Sequence, residues 1–543
     1  MAFKKRSLKL SESPPLFADY LYAFERVKPF FRWDPQQDLS VCFTERLHHY
    51  QFRKEISDIL FAQNQPLNPS PKVLHYIEKL RDPKTIAIVT GQQVGLLSGP
   101  LYTIYKILTT LKLVEEFTRR YPSWNFVPLF WMEVGDSDYG EINHIHLVDQ
   151  KNELQRLSLP DSAGDHRSIY QREVPLAITD LFQHIPHLFP PNEFRDTILK
   201  KATECYSPGK RFHIAFAEWI THLLGENGIP IVNPADGALA QLAKPLFHMS
   251  VQNCRRVQEI FSNVNQQLLA KNYHTQIILD DDQTLLFYEA DDGSRSRINI
   301  SDNHFVIQSP KNELKILYDE LYTLLSEQAG RFTPNVALRP LMQDWLLPTG
   351  VYVAGPAEIS YAAQLNPLYE NFQMVPPVFY PRIRVTLIES KIDKVIDKFH
   401  IDFIKLFQQR DQWLKQKIQQ QTDQQFGRVF QDSGQIIQRE MLKIKNNLLE
   451  LDKTLEATVN KTTVHISELL AKLHQKADEA YQRKMATDIN QFNKVLINLF
   501  PNGNYQERVL NILQYLIKYG PAVITELSDS IDINDWNHQL IFL

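Results

Sequence analysis

Only three cysteines occur in the 543 residues, and Cys42, Cys205 and Cys254 lie far apart in no C-x-x-C or zinc-type spacing. Their scarcity excludes a disulfide scaffold and suits a reducing cytosol. An excess of one charge is also missing, with 59 Lys plus Arg against 63 Asp plus Glu and a formal charge of −4. A dedicated nucleic-acid binder would normally be basic. No apolar run approaches the ~18–20 residues of a membrane span. The opening MAFKKRSLKLSESPPLF has charges but no apolar h-region, so a signal peptide is not expected either. These absences predict a cytoplasmic protein with neither membrane nor nucleic acid as partner. What is present is ordinary for a globular chain: 43% apolar and 22% charged residues, a length that allows about three domains, and enough core to need no metal staple.

Residues 17–80 read mostly as helices. Thr85-Ile-Ala-Ile-Val-Thr90 then reads as a short, fully buried strand, Gly91 ends it, and Pro100 to Thr118 has the period of a helix. A second buried strand follows at Asn125–Trp131. Strand, glycine loop, helix and strand make a βαβ unit, which implies a parallel sheet with a right-handed crossover. Ile229–Asn233 and Thr349–Ala354 resume the buried-strand pattern. Between them, Leu285–Tyr288 and Ser296–Ile300 flank Asp291-Asp292-Gly293, a turn signal for an antiparallel hairpin in a small β insertion. After Pro381 no proline occurs until Pro501. Ile437, Met441, Ile444, Leu448, Leu451 and Leu455 form a heptad seam, continued after a shift by Ile466, Leu469 and Leu473. The pattern predicts a long helical hairpin over about 390–500 with its bend in the Gln-rich run 419–435, the plainer alternative being an ordinary helical core.

Three segments are denser in chemistry than folding requires. Thr90-Gly-Gln-Gln-Val-Gly-Leu-Leu-Ser-Gly-Pro-Leu-Tyr-Thr-Ile-Tyr-Lys106 sits between a strand end and a helix N-terminus, where α/β proteins bind anions. Its spacing matches neither a dinucleotide fingerprint nor a P-loop. It reads as a substrate loop or as a turn that merely needs positive φ. Phe130 to His146 gathers Asp136, Asp138, Glu141, His144 and His146; Leu147 at position twelve rules out a calcium loop, and no further motif supports a metal at His-x-His. An acidic substrate subsite and a solvated acidic turn both remain open. The third segment is Asn335–Asp344 followed by Gly355–Tyr361, with Glu358 and Tyr361 one turn apart at a helix start, where a Glu is also ordinary dipole compensation.

TGQQVGLLSGPLYTIYK, FWM…D-x-D…EINHI, NVALRPLMQDWLLPTGVYVAGPAEISY, PRIRVTLIE and LFPNGNYQER together resemble the cysteine-adding ligase family of bacillithiol biosynthesis, in order from about residue 85 to 520. The resemblance implies a Rossmann-type α/β core with connecting insertions, a C-terminal antiparallel coiled coil that mediates homodimerisation, and joining of L-cysteine to glucosaminyl malate. The expected layout is a core over 1–389 with a helical N-terminal part and insertions at about 150–228 and 255–330. The coiled coil then spans 390–500, and 501–543 packs back on the core. One departure is visible: the family usually shows Glu-Asp-His-Asp where this chain has Gly135-Asp136-Ser137-Asp138.

Amide formation from a free carboxylate is uphill in water and needs activation, so ATP, with its Mg, is the expected co-reactant. Gly91, Gln92, Gln93 and Gly99 are then expected to cradle anions and Lys106 to stabilise charge. Asp136 and Asp138 are expected to hold the sugar amine, and Glu358 with Tyr361 to orient the second substrate. Tyr102, Asn143, His144, Gln343 and Asp344 complete the candidate substrate contacts. Arg382, Arg384, Thr386, Asn502, Asn504, Gln506 and Arg508, at the two ends of the hairpin, form a candidate nucleotide cluster, unless they only tie the stalk to the core. The rival from another class is a non-catalytic nucleotide-binding coiled-coil interaction protein.

Overall fold

The computed structural model describes all residues except 1–2, 11–13, 49, 162–164, 166, 281, 292, 302–303, 309–312 and 409–424. It divides into two compact units, Met1–Glu389 with Leu499–Leu543, and Ser390–Asn498.

The larger unit is built on five parallel strands: β1 (Thr85–Gln93), β2 (Asn125–Glu133), β3 (Ile231–Val232), β4 (Thr349–Ala354) and β5 (Val378–Pro381). Their spatial order is β5-β4-β1-β2-β3, and every neighbouring pair is parallel. The near-continuous apolar sequences follow from helices covering both faces. Helix α1 (Leu101–Arg120) makes the crossover between β1 and β2. Helices α2 (Leu338–Leu346) and α3 (Pro356–Asn371) flank β4. The order reverses between β1 and β4, and that is the point where α/β sheets open a crevice beyond their carboxyl ends.

The expected β insertion is a five-stranded antiparallel sheet that includes Gln283–Glu289 and Arg295–Ser301; residue 292 of its turn lies outside the described residues. A third sheet ties the chain ends together. His538–Phe542 pairs antiparallel with Lys4–Leu8 and parallel with Arg384–Ile388. Among the described residues no helix is long and apolar enough to cross a membrane.

The smaller unit carries helices α4 (Gln425–Leu451) and α5 (Glu456–Leu499, entering the larger unit at its last residue). Lys445 Nζ reaches Asn460 Oδ1 at 3.0 Å, Gly434 faces Leu470, and Phe430 stacks on His474 at 4.6 Å. These pairs run in opposite directions along the chain, so the two helices are antiparallel. Of the run 419–435 expected to hold the bend, the described part belongs to α4. Residues 425–435 are helical, and 419–424 lie outside the described residues. The chain turns at Asp452, whose extended backbone (φ −156°, ψ 115°) and side chain, accepting from Thr454 N at 2.8 Å, start a new helical turn. An Asp N-cap breaks the seam where the glycines Gly427 and Gly434 do not, because a capping side chain satisfies the free N–H groups of the following helix.

His538 makes the larger unit acid-sensitive. It is 2% exposed, its Nε2 meets Thr386 Oγ1 at 2.8 Å, and burial depresses it from its ordinary 6.5 to about 3. The unfolded chain therefore binds a proton that the folded chain refuses. The stability associated with the neutral ring is complete above about pH 6.5 and is lost as pH falls towards 3, at about 1.4 kcal/mol per pH unit. Urea midpoints should fall from pH 6.5 to 4.5, and His538→Gln should remove about one proton from that slope. An unaltered slope would contradict this assignment.

Candidate functional site

A cavity of about 590 Å³ opens at the strand-order reversal, lined by the ends of β1, β2 and β4 and by the residues that follow them. Lys106, on α1, is 3% exposed and forms its hub. Its three ammonium protons face three acceptors: Gly91 O at 2.8 Å, Gln92 Oε1 at 3.0 Å and Glu358 Oε2 at 2.6 Å. Glu358 caps the start of α3 by accepting Gly355 N at 2.7 Å, and it takes the Tyr352 hydroxyl at 2.8 Å. Burial alone would raise its carboxyl, but the Lys106 ammonium, together with the hydrogen bonds from Gly355 N and Tyr352, holds Glu358 below the usual carboxylate range. Burial lowers Lys106, against the pull of Glu358. Gly91 is closely packed. A Cβ there would stand 3.2 Å from Trp131 O and 3.3 Å from Trp131 Cβ on the neighbouring strand.

Gln93 donates to Asp136 Oδ2 at 2.9 Å and Glu141 Oε2 at 3.0 Å. The other Asp136 oxygen accepts Ser137 N and Asp138 N. Asp136 thus lines the cavity with both oxygens engaged. Asp138 does not reach it; the side chain is exposed and caps the short helix Tyr139–Ile142 by accepting Glu141 N at 3.2 Å. Tyr361 accepts from Arg339 Nη2 at 3.2 Å, and burial pushes its phenol up to about 12. Gln343 and Asp344 line neither this cavity nor its neighbour. They are buried in α2, where Gln343 Nε2 donates to Asp344 Oδ1 at 3.0 Å and Asp344 takes the Tyr369 hydroxyl. Asn143 is likewise turned inward, donating to Leu159 O at 2.8 Å.

A second cavity of about 260 Å³ shares Gln92, Gln93, Tyr102 and Arg508 with the first, and adds Gly99, His144, His146, Asn502 and Asn504. His144 and His146 stand on one strand face with ring centroids 5.1 Å apart, and burial holds His146 down to about 4. Among the described residues no group of three His, Cys, Asp or Glu side chains is arranged to hold a metal ion.

The seven residues expected as one nucleotide cluster are distributed. Arg382 and Arg508 line the large cavity; Asn502, Asn504 and Arg508 line the small one. Arg384 lines a third cavity and donates to Trp536 O. Gln506 clamps the backbone of Leu387 with both its amide atoms, and Thr386 pairs with His538. Those two contacts stitch the C-terminal segment to the core. The sequence reading assigned no role to Glu133, Arg295, Arg339 or Tyr352, which also line the large cavity. Their signal was present in part: Glu133 ends an otherwise apolar strand, and Arg339 interrupts an apolar helix.

Two family models together cover nearly the whole chain. The N-terminal Rossmann-like domain of bacillithiol biosynthesis BshC matches residues 3–383, and the C-terminal coiled-coil domain of the same family matches 385–543. A protein of Salinibacter ruber named "Putative cysteine ligase BshC" is 33% identical over 539 residues, 98% of this chain and 97% of its own. Proteins of the same name from Desulforamulus reducens and Chlorobaculum tepidum are 29% and 31% identical, over 98% and 88% of this chain and 98% and 86% of theirs. A solved structure described as a putative arginyl-tRNA synthetase from Campylobacter jejuni overlaps 91% of this chain and 98% of its own at 10% identity. Its TM-score is 0.22, a level that carries no argument.

Proposed function

This chain belongs to the bacillithiol biosynthesis BshC family, and from that premise we propose that it is an ATP-dependent ligase joining the carboxyl group of L-cysteine to the amine of glucosaminyl malate. The observation that carries the proposal is the crevice at the β1–β4 reversal, which both acids and cations line. Such a lining suits one substrate that brings an ammonium and another that brings a carboxylate. Arg339 and Arg295 provide fixed positive charge for carboxylates. Gln92 and Gln93, held by Lys106 and Asp136, present amides in fixed orientations, so little reorganisation is needed as charge develops.

ATP supplies the activation that the carboxylate needs. The chemistry of the smaller cavity fits a polyphosphate: the exposed Arg508 guanidinium, the carboxamides of Asn502 and Asn504, and the glycine loop beside them. Because Arg508, Gln92, Gln93 and Tyr102 border both cavities, a nucleotide in one lies beside substrates in the other. The test is nucleotide consumption by purified protein. ATP should be turned over only with cysteine and glucosaminyl malate both present. Binding of nucleotide without any such turnover would favour the non-catalytic interaction protein.

A homodimer through the helical unit belongs to the same proposal. Within the α4–α5 hairpin, Ile444, Leu451, Val464, Leu469 and Leu473 remain 47–79% exposed, apolar surface that a second copy would cover. Replacing residues 395–495 by a short linker should leave a monomeric core by light scattering. Persistence of the dimer would place the interface elsewhere.

A further inference from the structure

Resting on the ligase reading above, we propose that the Glu133 carboxylate, not the Asp136–Asp138 pair, receives the attacking ammonium of the amine substrate and takes its proton. Asp138 is a helix cap outside the cavity, and both oxygens of Asp136 are already occupied by two backbone N–H groups and Gln93. Glu133 differs from both. It ends β2 at the cavity wall, and its Oε2 is enclosed and accepts no hydrogen bond from any described residue. Among the described residues the cation paired with that oxygen is Arg339, with Nε at 3.7 Å, beyond hydrogen-bonding reach. An enclosed carboxylate oxygen left without a hydrogen bond is costly unless a bound group satisfies it.

Position 135 explains how Glu133 comes to stand there. Gly135 N donates to Glu133 Oε1 at 3.2 Å, and a Cβ built on Gly135 would lie 3.3 Å from that same oxygen. The Glu133 carboxylate therefore lies over the spot where a side chain at 135 would begin. Gly135 leaves that space open, and the acid is supplied from two residues upstream. Burial pushes the Glu133 carboxyl above the usual carboxylate range, against the opposing pull of Arg339 and Arg295, which makes it a stronger base than a solvated carboxylate.

In the step itself, the ammonium passes one proton to Glu133. The freed nitrogen lone pair forms the C–N bond to the activated carboxyl carbon of cysteine. The C–O bond to the phosphate-type leaving group breaks with its electron pair on oxygen, and the second nitrogen proton passes to that departing phosphate oxygen as the tetrahedral adduct collapses.

The experiment compares wild type, the isosteric Glu133→Gln and the relocated-acid variant Glu133→Ala with Gly135→Glu. Calorimetry reads binding of glucosaminyl malate and of its N-acetylated analogue, which has no basic nitrogen. Wild type should prefer the free amine, Glu133→Gln should weaken its binding by about tenfold without altering the analogue, and the relocated acid should restore the preference. In turnover, Glu133→Gln should lower kcat on the order of a hundredfold, with the melting temperature unchanged. Equal binding of amine and analogue by wild type overturns the proposal without any variant having to fold. An unchanged preference in Glu133→Gln overturns it as well. The binding arm needs no ligation, so a wild type that forms no amide would defeat the ligase reading while Glu133 is still decided.

Discussion

Lys106→Met should abolish ligation and destabilise the protein together. The ammonium donates to Gly91 O and to Gln92 Oε1 in the cavity wall, and it is the cation paired with the Glu358 carboxylate. Removing one partner of a buried pair leaves an uncompensated charge and costs about 3–5 kcal/mol. Part of that loss is escaped if Glu358 takes up a proton, which releases the cap on α3. Lys106→Met with Glu358→Gln should recover much of the stability, because both charges are then gone, but not the activity, since the Gln92 carboxamide still lacks its anchor. Stability recovered together with turnover would show that Lys106 only packs. Chemical denaturation and single-turnover rates on both variants separate the outcomes.

Glu507→Ala should be the most damaging single change far from the reacting groups. Glu507 is 3% exposed and takes both Arg382 terminal nitrogens, at 2.9 and 2.7 Å, and also Val385 N at 3.1 Å. The bidentate fork holds the C-terminal segment to the strand after β5 and fixes Arg382 at the cavity. Truncation strands a buried guanidinium, for a cost of about 3–5 kcal/mol. Glu507→Gln keeps the shape and one acceptor and should cost less than Ala. A loss below about 1 kcal/mol for Glu507→Ala would mean that water replaces the carboxylate, and the buried-pair assignment would fail.

The sheet was legible because parallel strands covered on both faces read as uninterrupted apolar runs, and Thr85–Thr90, Asn125–Trp131 and Thr349–Ala354 do so. The crevice was legible because polar residues cluster where those runs end. Gln92, Gln93, Lys106, Asp136, Glu358 and Tyr361 all line it. Two kinds of residue were misread or missed. Asp138 resembled a ligand, yet Asp138-Tyr-Gly-Glu141 also has the spacing of a helix start, and capping is what it does. Glu133 and Arg339 stand out locally only as polar residues among apolar neighbours, which does not say that they meet. Their approach across the cavity arises from the sheet order, which places the end of β2 opposite the helix before β4. Arg382 and Glu507 meet across more than a hundred intervening residues, and nothing at either position announces the other. The helical hairpin shows the same limit in reverse. Its apolar period was visible, but the turn is set by the backbone and side chain of Asp452 rather than by the glycines that usually mark a break.

The most direct measurement is the mass of the product. Purified protein is incubated with ATP, isotopically labelled cysteine and glucosaminyl malate, and the mixture is resolved by liquid chromatography and mass spectrometry. Amide formation at the β1–β4 crevice predicts a labelled species at the summed mass of the two substrates less one water, formed in step with ATP consumption and absent with Lys106→Met. ATP consumed or bound with no such species, under conditions where both substrates bind, would contradict it.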